Sequence, residues 1–115
     1  MRTSEKLTVS AKWEGAEHFR SCVTHWVQQI RVEPKGVELR PMRNKWASCS
    51  AKGFVTFNSQ LLEERREFGE YVIVHELLHL RIPNHGRLFK SLLTAHMPDW
   101  KNRADRIAKT SCWRP

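Results

Sequence analysis

The residues with the clearest chemical potential lie in the segment His75-Glu76-Leu77-Leu78-His79. Residues four positions apart lie on one face of an α-helix, so the imidazoles of His75 and His79 can reach a single metal ion. Glu76 lies about 100° around the helix from His75, because an α-helix has 3.6 residues per turn. Its carboxylate can therefore flank the metal without binding it and accept a proton from a water molecule that the metal activates. The segment predicts a metal-dependent hydrolytic centre.

A third histidine completes a ligand set for zinc. Catalytic zinc sites have three protein ligands and one open position, and we expect His85, ten residues after His75, to be the third ligand. The helix must end for His85 to fold back, and Ile82-Pro83-Asn84 supplies that end because a residue before proline avoids the helical conformation. The alternative is a helix with surface histidines, but a polar strip on an apolar helix needs partners. We therefore predict one Zn²⁺ ion held by His75, His79 and His85.

These residues must be positioned by a small α+β domain. Helical periodicity or start signals predict helices over 14–30, 61–67, 68–80 and 85–96, and a last helix that opens at Pro98 and Asp99. Alternating and β-branched stretches predict strands over 37–40, 45–50 and 53–58. The first 13 residues form either a ragged arm or a strand around Leu7-Thr8-Val9. We expect one α+β domain over residues 1–115, with a small antiparallel sheet packed against the active-site helix and further helices.

Length and composition exclude several classes of protein. The 115 residues suffice for one small domain, and no run of 18 apolar residues indicates a membrane span. No apolar stretch of signal-peptide length follows Met1. The three cysteines are far apart and include no CxxC pair, which favours a reducing, cytoplasmic location. Twenty Lys and Arg against twelve Asp and Glu give a net charge of +8, which favours attraction to polyanions such as DNA or RNA. The sequence specifies no oligomeric state.

A wider set of residues extends the pattern beyond the histidines. It comprises Val72–Leu80, Asn84-His85 and Phe89, together with Arg43, Trp46-Ala47-Ser48-Cys49-Ser50, Gly53, Asn58 and Met97-Pro98-Asp99-Trp100. This combination, within about residues 37–112, resembles the YgjP-like metallopeptidases, a family related to the SprT-like and WLM zincins. The resemblance implies a minimal zincin fold and zinc held by His75, His79 and His85. It also implies Glu76 as catalytic base and a peptide or protein as substrate.

Two other families share the three-histidine spacing but fit less well. Metzincins need Gly at position 82, where this chain has Ile82. Bacterial rRNA-maturation endoribonucleases typically lack Glu after the first histidine and have a Gly-containing turn after the second, so Glu76 and Pro83 argue against them. The basic charge leaves one alternative, a nucleic-acid-associated zinc protein that is either endoribonuclease-like or a non-catalytic binding module. Glu76 discriminates between these functions, since a structural zinc site would not need it.

Several further features have both a packing and a functional interpretation. For Cys49 and His96, a place in the core is favoured over roles as nucleophile and oxyanion-stabilising group. Asp99 is better explained by its position at a helix start than by orienting a ligand imidazole. Zincins bind peptides by adding them to the edge of a sheet, and we expect strand 45–50 or strand 53–58 to offer that edge.

Overall fold

Three strands and four α-helices make up residues 12–104, the part of the chain that the computed structural model describes. This confirms the α+β fold. The expected strand around residues 7–9 and the cysteine Cys112 lie outside the described residues. No helix within residues 12–104 is both long and apolar enough to cross a membrane. In chain order the elements are α1 (Ala16–Ile30), β1 (Gly36–Arg40), β2 (Ala47–Cys49), β3 (Phe54–Asn58), a 3₁₀-helix (Ser59–Glu63), α2 (Arg66–Leu78), α3 (Arg87–His96) and α4 (Trp100–Ala104).

The sheet has the order β1–β3–β2, with β3 in the centre. β2 and β3 form the expected antiparallel hairpin, but β1 lies parallel to β3. The predicted antiparallel sheet is therefore corrected to a mixed sheet. The reason is the connection at residues 41–46, which carries the chain from one edge of the sheet to the other. A parallel pair needs a long crossover, and residues 41–53, which include β2, provide it.

Asn58, the last residue of β3, holds this crossing connection in place. Its side chain is buried, and the amide nitrogen donates to the carbonyl oxygens of Met42 (3.2 Å) and Lys45 (2.9 Å). Its Oδ1 accepts a hydrogen bond from the backbone N–H of Gln60 at 2.9 Å. The Asn58 backbone N–H donates to the carbonyl of Trp46 at 2.8 Å. One buried amide thus joins the central strand, the crossing connection and the 3₁₀-helix.

The segment before α2 differs from its predicted form. Residues 61–67 were expected to be helical, but the chain forms the 3₁₀-helix and then extends at Arg65 before α2 begins. Capping by the Asn58 side chain starts this short helix early. A hydrogen bond from the Glu64 N–H to the carbonyl of Leu61 closes its last turn. Side-chain capping therefore overrides the weak helical pattern of this polar segment.

α2 is the central element, because the other helices and two of the strands pack around it. Residues 71–78 are all buried, and a helix that is apolar around its circumference belongs in a core. His75 and Glu76 are 1% and 4% exposed within this helix. Polar groups buried in this way need hydrogen-bond partners or a ligand.

Aromatic contacts attach α1 to the rest of the core. Phe19 packs edge-on against Phe57 of β3, with ring centroids 5.4 Å apart, and against Trp13 at 4.9 Å. Trp13 lies directly over Gly69 of α2, where an added Cβ would stand 2.7 Å from the indole ring. This close approach of α2 to the chain before α1 therefore requires glycine at position 69.

α4 is attached to α2 by one ion pair and one stacked ring pair. Arg103 donates to Oε1 of Glu70 at 3.0 Å and to the carbonyl of Glu67 at 3.2 Å. Trp100 stacks on Tyr71, with ring centroids 6.4 Å apart and planes inclined by 11°. Tyr71 lies one helical turn before His75, so α4 supports the part of α2 that carries the predicted site.

Candidate metal centre

Three imidazole side chains meet at the C-terminal end of α2. The Nε2 atom of His79 lies 2.9 Å from Nε2 of His85, which lies 3.1 Å from Nε2 of His75. The metal-binding atoms of the three residues are all within 4.8 Å of one another. Zinc–nitrogen bonds of about 2.0–2.1 Å in tetrahedral geometry separate ligand nitrogens by about 3.3 Å. The three nitrogens therefore fit one zinc ion after a small outward movement.

The end of α2 positions the first two imidazoles. His75 and His79 are one turn apart on the same face, and their ring centroids are 4.8 Å apart. α2 ends at Leu78, two residues before its predicted end, although His79 keeps a helical backbone conformation. The backbone N–H of Ile82 donates to the carbonyl of Leu78 at 2.9 Å, which closes the turn after the helix.

A short loop returns His85 to this helix end. The side-chain oxygen of Asn84 accepts a hydrogen bond from the backbone N–H of Gly86 at 2.9 Å, which bends the chain just before α3. α3 accordingly begins at Arg87, not at the predicted residue 85. His85 is exposed, unlike His75, so the loop and the neighbouring rings hold it in place.

The ring hydrogen bonds leave lone pairs on the converging nitrogens. Nδ1 of His79 lies 3.0 Å from the carbonyl oxygen of Ile82. A carbonyl oxygen only accepts, so this Nδ1 carries the proton and Nε2 carries the lone pair. Nδ1 of His75 lies 3.3 Å from Oε2 of Glu76, which is an acceptor when ionised. His79 thus presents the tautomer that binds a metal through Nε2, and His75 does so when Glu76 is ionised.

Partial or full burial and the neighbouring cationic groups favour the neutral form of these imidazoles, which is the form that metals bind. Burial lowers the pKa of His75 to about 3. Burial also lowers the pKa of His79, and the neighbouring His75 acts in the same direction. The pKa of His85 is lowered mainly by burial and further by His75, His79 and Lys90.

Glu76 lies beside the three histidines in the same buried environment. Burial raises its pKa to about 7, while nearby His79, His85 and Lys45 act in the opposite direction. Among the described residues, the group of converging ligand atoms consists of the three histidines and does not include Glu76. A carboxyl group with a pKa near neutrality that stands next to a metal site is suited to exchanging protons.

A family model for the YgjP-like metallopeptidase domain matches residues 3–110. The chain belongs to this family. It is therefore a zinc metallopeptidase, as the sequence resemblance implied, and peptides or proteins are its substrate class.

Individual proteins and solved structures resemble the chain over most of its length. Uncharacterized protein MJ0123 of Methanocaldococcus jannaschii is 35% identical over 79 residues, which are 65% of this chain and 70% of that protein. The metallopeptidase zymogen of M. jannaschii jannalysin has a similar structure, with a TM-score of 0.70 and 26% identity over 79% of this chain and 94% of that one. The metallopeptidase zymogen of Pyrococcus abyssi abylysin has a TM-score of 0.69 and 25% identity over 79% of this chain and 92% of that one.

Phe89 contributes more to this YgjP-like centre than its sequence position indicated. Its ring centroid lies 5.3 Å from His75, 4.7 Å from His79 and 5.1 Å from His85. The sequence indicated it only through the family resemblance. The available signal was its position in the predicted helix 85–96, where a residue four positions after His85 would lie on the same face.

Cys49 and His96 have contacts that agree with their packing interpretation. Burial raises the pKa of the Cys49 thiol, which is a poor nucleophile in that form. The ring of His96 packs edge-on against Trp26 of α1, with centroids 6.5 Å apart. Asp99 is exposed and pairs with Arg103 at 3.0 Å along the start of α4, which agrees with its position at a helix start.

Proposed function

We propose that His75, His79 and His85 hold the catalytic zinc ion and that Glu76 is the general base of peptide-bond hydrolysis. One observation carries this assignment. Three neutral imidazole nitrogens converge beside a buried carboxyl group that does not join their cluster. A structural zinc site would use four protein ligands and would not need the adjacent base.

The reaction follows from the roles of these side chains. Zinc bound here would supply a Lewis acid that lowers the pKa of water and polarises the scissile carbonyl. Glu76 would accept a proton from the attacking water and deliver it to the leaving amine nitrogen, and a pKa of about 7 suits both transfers. The Ile82 carbonyl would hold His79 in its metal-binding tautomer throughout.

The edge of β2 is the better candidate for aligning a peptide substrate. β3 is paired on both sides, so the expectation that strand 53–58 could offer a free edge is wrong. β2 is the last strand of the sheet on its side, within the described residues. Cys49, at the end of β2, is close enough to Glu76 for the carboxylate to raise the pKa of the thiol. An extended peptide that adds to β2 would therefore pass close to Glu76.

Location, domain extent and further partners stay predictions. The thiols of Cys22 and Cys49 are free, which supports a reducing, cytoplasmic location. We take residues 1–115 as one domain. Association with DNA or RNA is supported by the net charge of +8.

Hydrolysis of an unstructured protein, with and without a metal chelator, tests the assignment. Glu76→Gln keeps the side-chain shape but cannot act as a base, so turnover should fall by about 10²–10⁴-fold. Its zinc content should equal that of the parent protein. Because both solved relatives are described as zymogens, each protein is assayed before and after limited proteolysis. Undiminished chelator-sensitive turnover in Glu76→Gln would contradict the mechanism, and loss of zinc would make Glu76 a ligand or a structural support.

A further inference from the structure

A groove of about 720 Å³ opens beside His85 and runs along the exposed face of α3. The residues along α3 that line it recur at helical spacing and form one stripe. The opposite face of α3 is buried in the core through Phe89 and Leu93. The groove is lined by His85, Gly86, Arg87, Lys90, Ser91 and Thr94.

The groove carries two positive charges. Arg87 and Lys90 are exposed, and within residues 12–104 neither forms an ion pair with a carboxylate. Both side chains line the groove together with His85, the proposed third zinc ligand. The groove beside the metal centre is therefore electropositive.

Helix stability does not explain these cations. Arg87 and Lys90 lie in the first turn of α3, and no acidic residue lies there. The helix dipole favours acidic side chains in a first turn and disfavours basic ones. General solubility does not explain them either, because solubility places no demand on their position in a groove that begins at a zinc ligand.

We propose that this groove binds a substrate segment with an Asp or Glu side chain, so that the peptidase prefers acidic peptides. The inference rests on the proposed function, because it takes His85 as part of the cleavage site. From Gly86 to Thr94 the helix rises about 12 Å, and an extended peptide covers that length with about four residues. The acidic side chain should therefore lie within about four residues of the scissile bond.

Binding measurements test this preference without relying on turnover. The zinc-loaded Glu76→Gln variant is titrated with C-terminally amidated peptides that carry Asp or Glu, or their isosteres Asn or Gln, at each position. We expect the acidic peptide to bind about 5–30-fold more tightly at low salt, and the difference to shrink as salt increases. The ratio of kcat/KM values for the parent holoenzyme should follow the same order. Neutral peptides with a free C-terminus show whether a terminal carboxylate can replace the side chain.

A charge-reversal pair assigns the effect to the groove. Arg87→Glu combined with Lys90→Glu should remove the preference for acidic peptides and favour peptides with Lys instead, at unchanged zinc content. Lys35→Glu combined with Lys52→Glu is the matched control, because both residues are exposed, carry the same charge and lie outside this groove. The control pair should keep the acidic preference.

Several results would overturn the inference. Equal binding and cleavage of acidic and isosteric peptides would contradict it. So would an equal loss of the acidic preference in the control pair, or a preference that depends on the terminal carboxylate alone. A single-stranded oligonucleotide that binds only while Arg87 and Lys90 are intact, without any acidic-peptide preference, would assign the groove to nucleic acid. If no peptide is cleaved at all, the proposed function fails, and the titration still decides what the groove binds.

Discussion

His85 is the predicted ligand whose position depends most on its surroundings. It is exposed and lies in a loop, whereas His75 and His79 are held by α2. The side chain of His85 can therefore be removed with little disturbance of the core. Its ring stacks on that of His75, with centroids 5.0 Å apart, and this contact is small compared with the buried contacts of α2.

We predict that His85→Ala lowers zinc affinity by at least about 100-fold, since even residues that only orient a ligand are worth 10–100-fold. Competition against a chromophoric chelator measures the affinity. His25→Ala is the matched control, because His25 is exposed on α1 and packs against Trp26. Full zinc affinity in His85→Ala would show that the third ligand is another group.

Glu76 affects stability in addition to its proposed role in catalysis. Its carboxyl group has a pKa of about 7 in the folded protein, above the ordinary value of 4.5. The folded state thus binds this proton more tightly than the unfolded state. The contribution of this proton to the free energy of unfolding is fully present below pH 4.5 and is lost as the pH rises through 7.

We predict that zinc-free Glu76→Gln gains stability relative to the zinc-free parent as pH rises from 5 to 8. Gln does not titrate, so the gain should reach about 2–3 kcal/mol in the free energy of unfolding. Urea denaturation of both proteins at the two pH values measures it. The informative quantity is how the difference in unfolding free energy between the two proteins changes with pH. Any contact to His75 that is lost in the variant contributes equally at both pH values. A difference independent of pH would mean that Glu76 has an ordinary pKa.

At the scale of elements, the crossing connection between β1 and β2 determines the form of the sheet. It brings Lys45 near Glu76 and sets β2 beside the metal centre. The side chain of Asn58 holds it by three hydrogen bonds from a nearly inaccessible position.

Asn58→Ala should lower the free energy of unfolding by about 2–4 kcal/mol, because it leaves two part-buried backbone carbonyls and one part-buried N–H without their partner. Asn58→Asp should be at least as harmful, since it directs a carboxylate at the carbonyls of Met42 and Lys45. Urea denaturation measures both changes. Gln60→Ala, an exposed neighbour, is the control and should change stability by less than about 0.5 kcal/mol. Equal effects of Asn58→Ala and Gln60→Ala would contradict this role.

At the scale of the molecule, the metal centre joins the central helix to the loop before α3. His75 and His79 belong to the end of α2, and His85 belongs to that loop. Zinc that binds the folded arrangement more tightly than the unfolded chain will stabilise the whole fold.

Zinc at 100 times its dissociation constant should raise the free energy of unfolding by about 2.7 kcal/mol. For a domain of this size that is a rise of about 10–20 °C in Tm. Differential scanning calorimetry of the chelated and zinc-loaded protein measures the shift, and magnesium serves as the control ion. The shift should disappear in His85→Ala, and its persistence there would place the stabilising metal elsewhere.

The sequence alone determined the parts of the centre that depend on local geometry. The period of the α-helix places His75, His79 and Glu76 whatever surrounds them. Pro83 prevents the chain from continuing as a helix at Ile82 through a steric effect on that residue, so the return of His85 could also be predicted. The α+β class followed from the same kind of local pattern, because hydrophobic periodicity distinguishes helices from strands.

The tertiary structure decided everything that depends on contacts between distant segments. Strand order could not be predicted, because the edge that β1 occupies depends on the path of residues 41–46 and on the amide of Asn58. The final packing of α3 and its loop is needed to bring Phe89 against the three imidazoles. The same packing allows the hydrogen bond from His79 to the Ile82 carbonyl. The groove along α3 is likewise a property of shape, since sequence shows the charges of Arg87 and Lys90 but not the cavity that they line. Periodicity is encoded within a few residues, whereas pairing, packing and burial emerge only when the whole chain has folded.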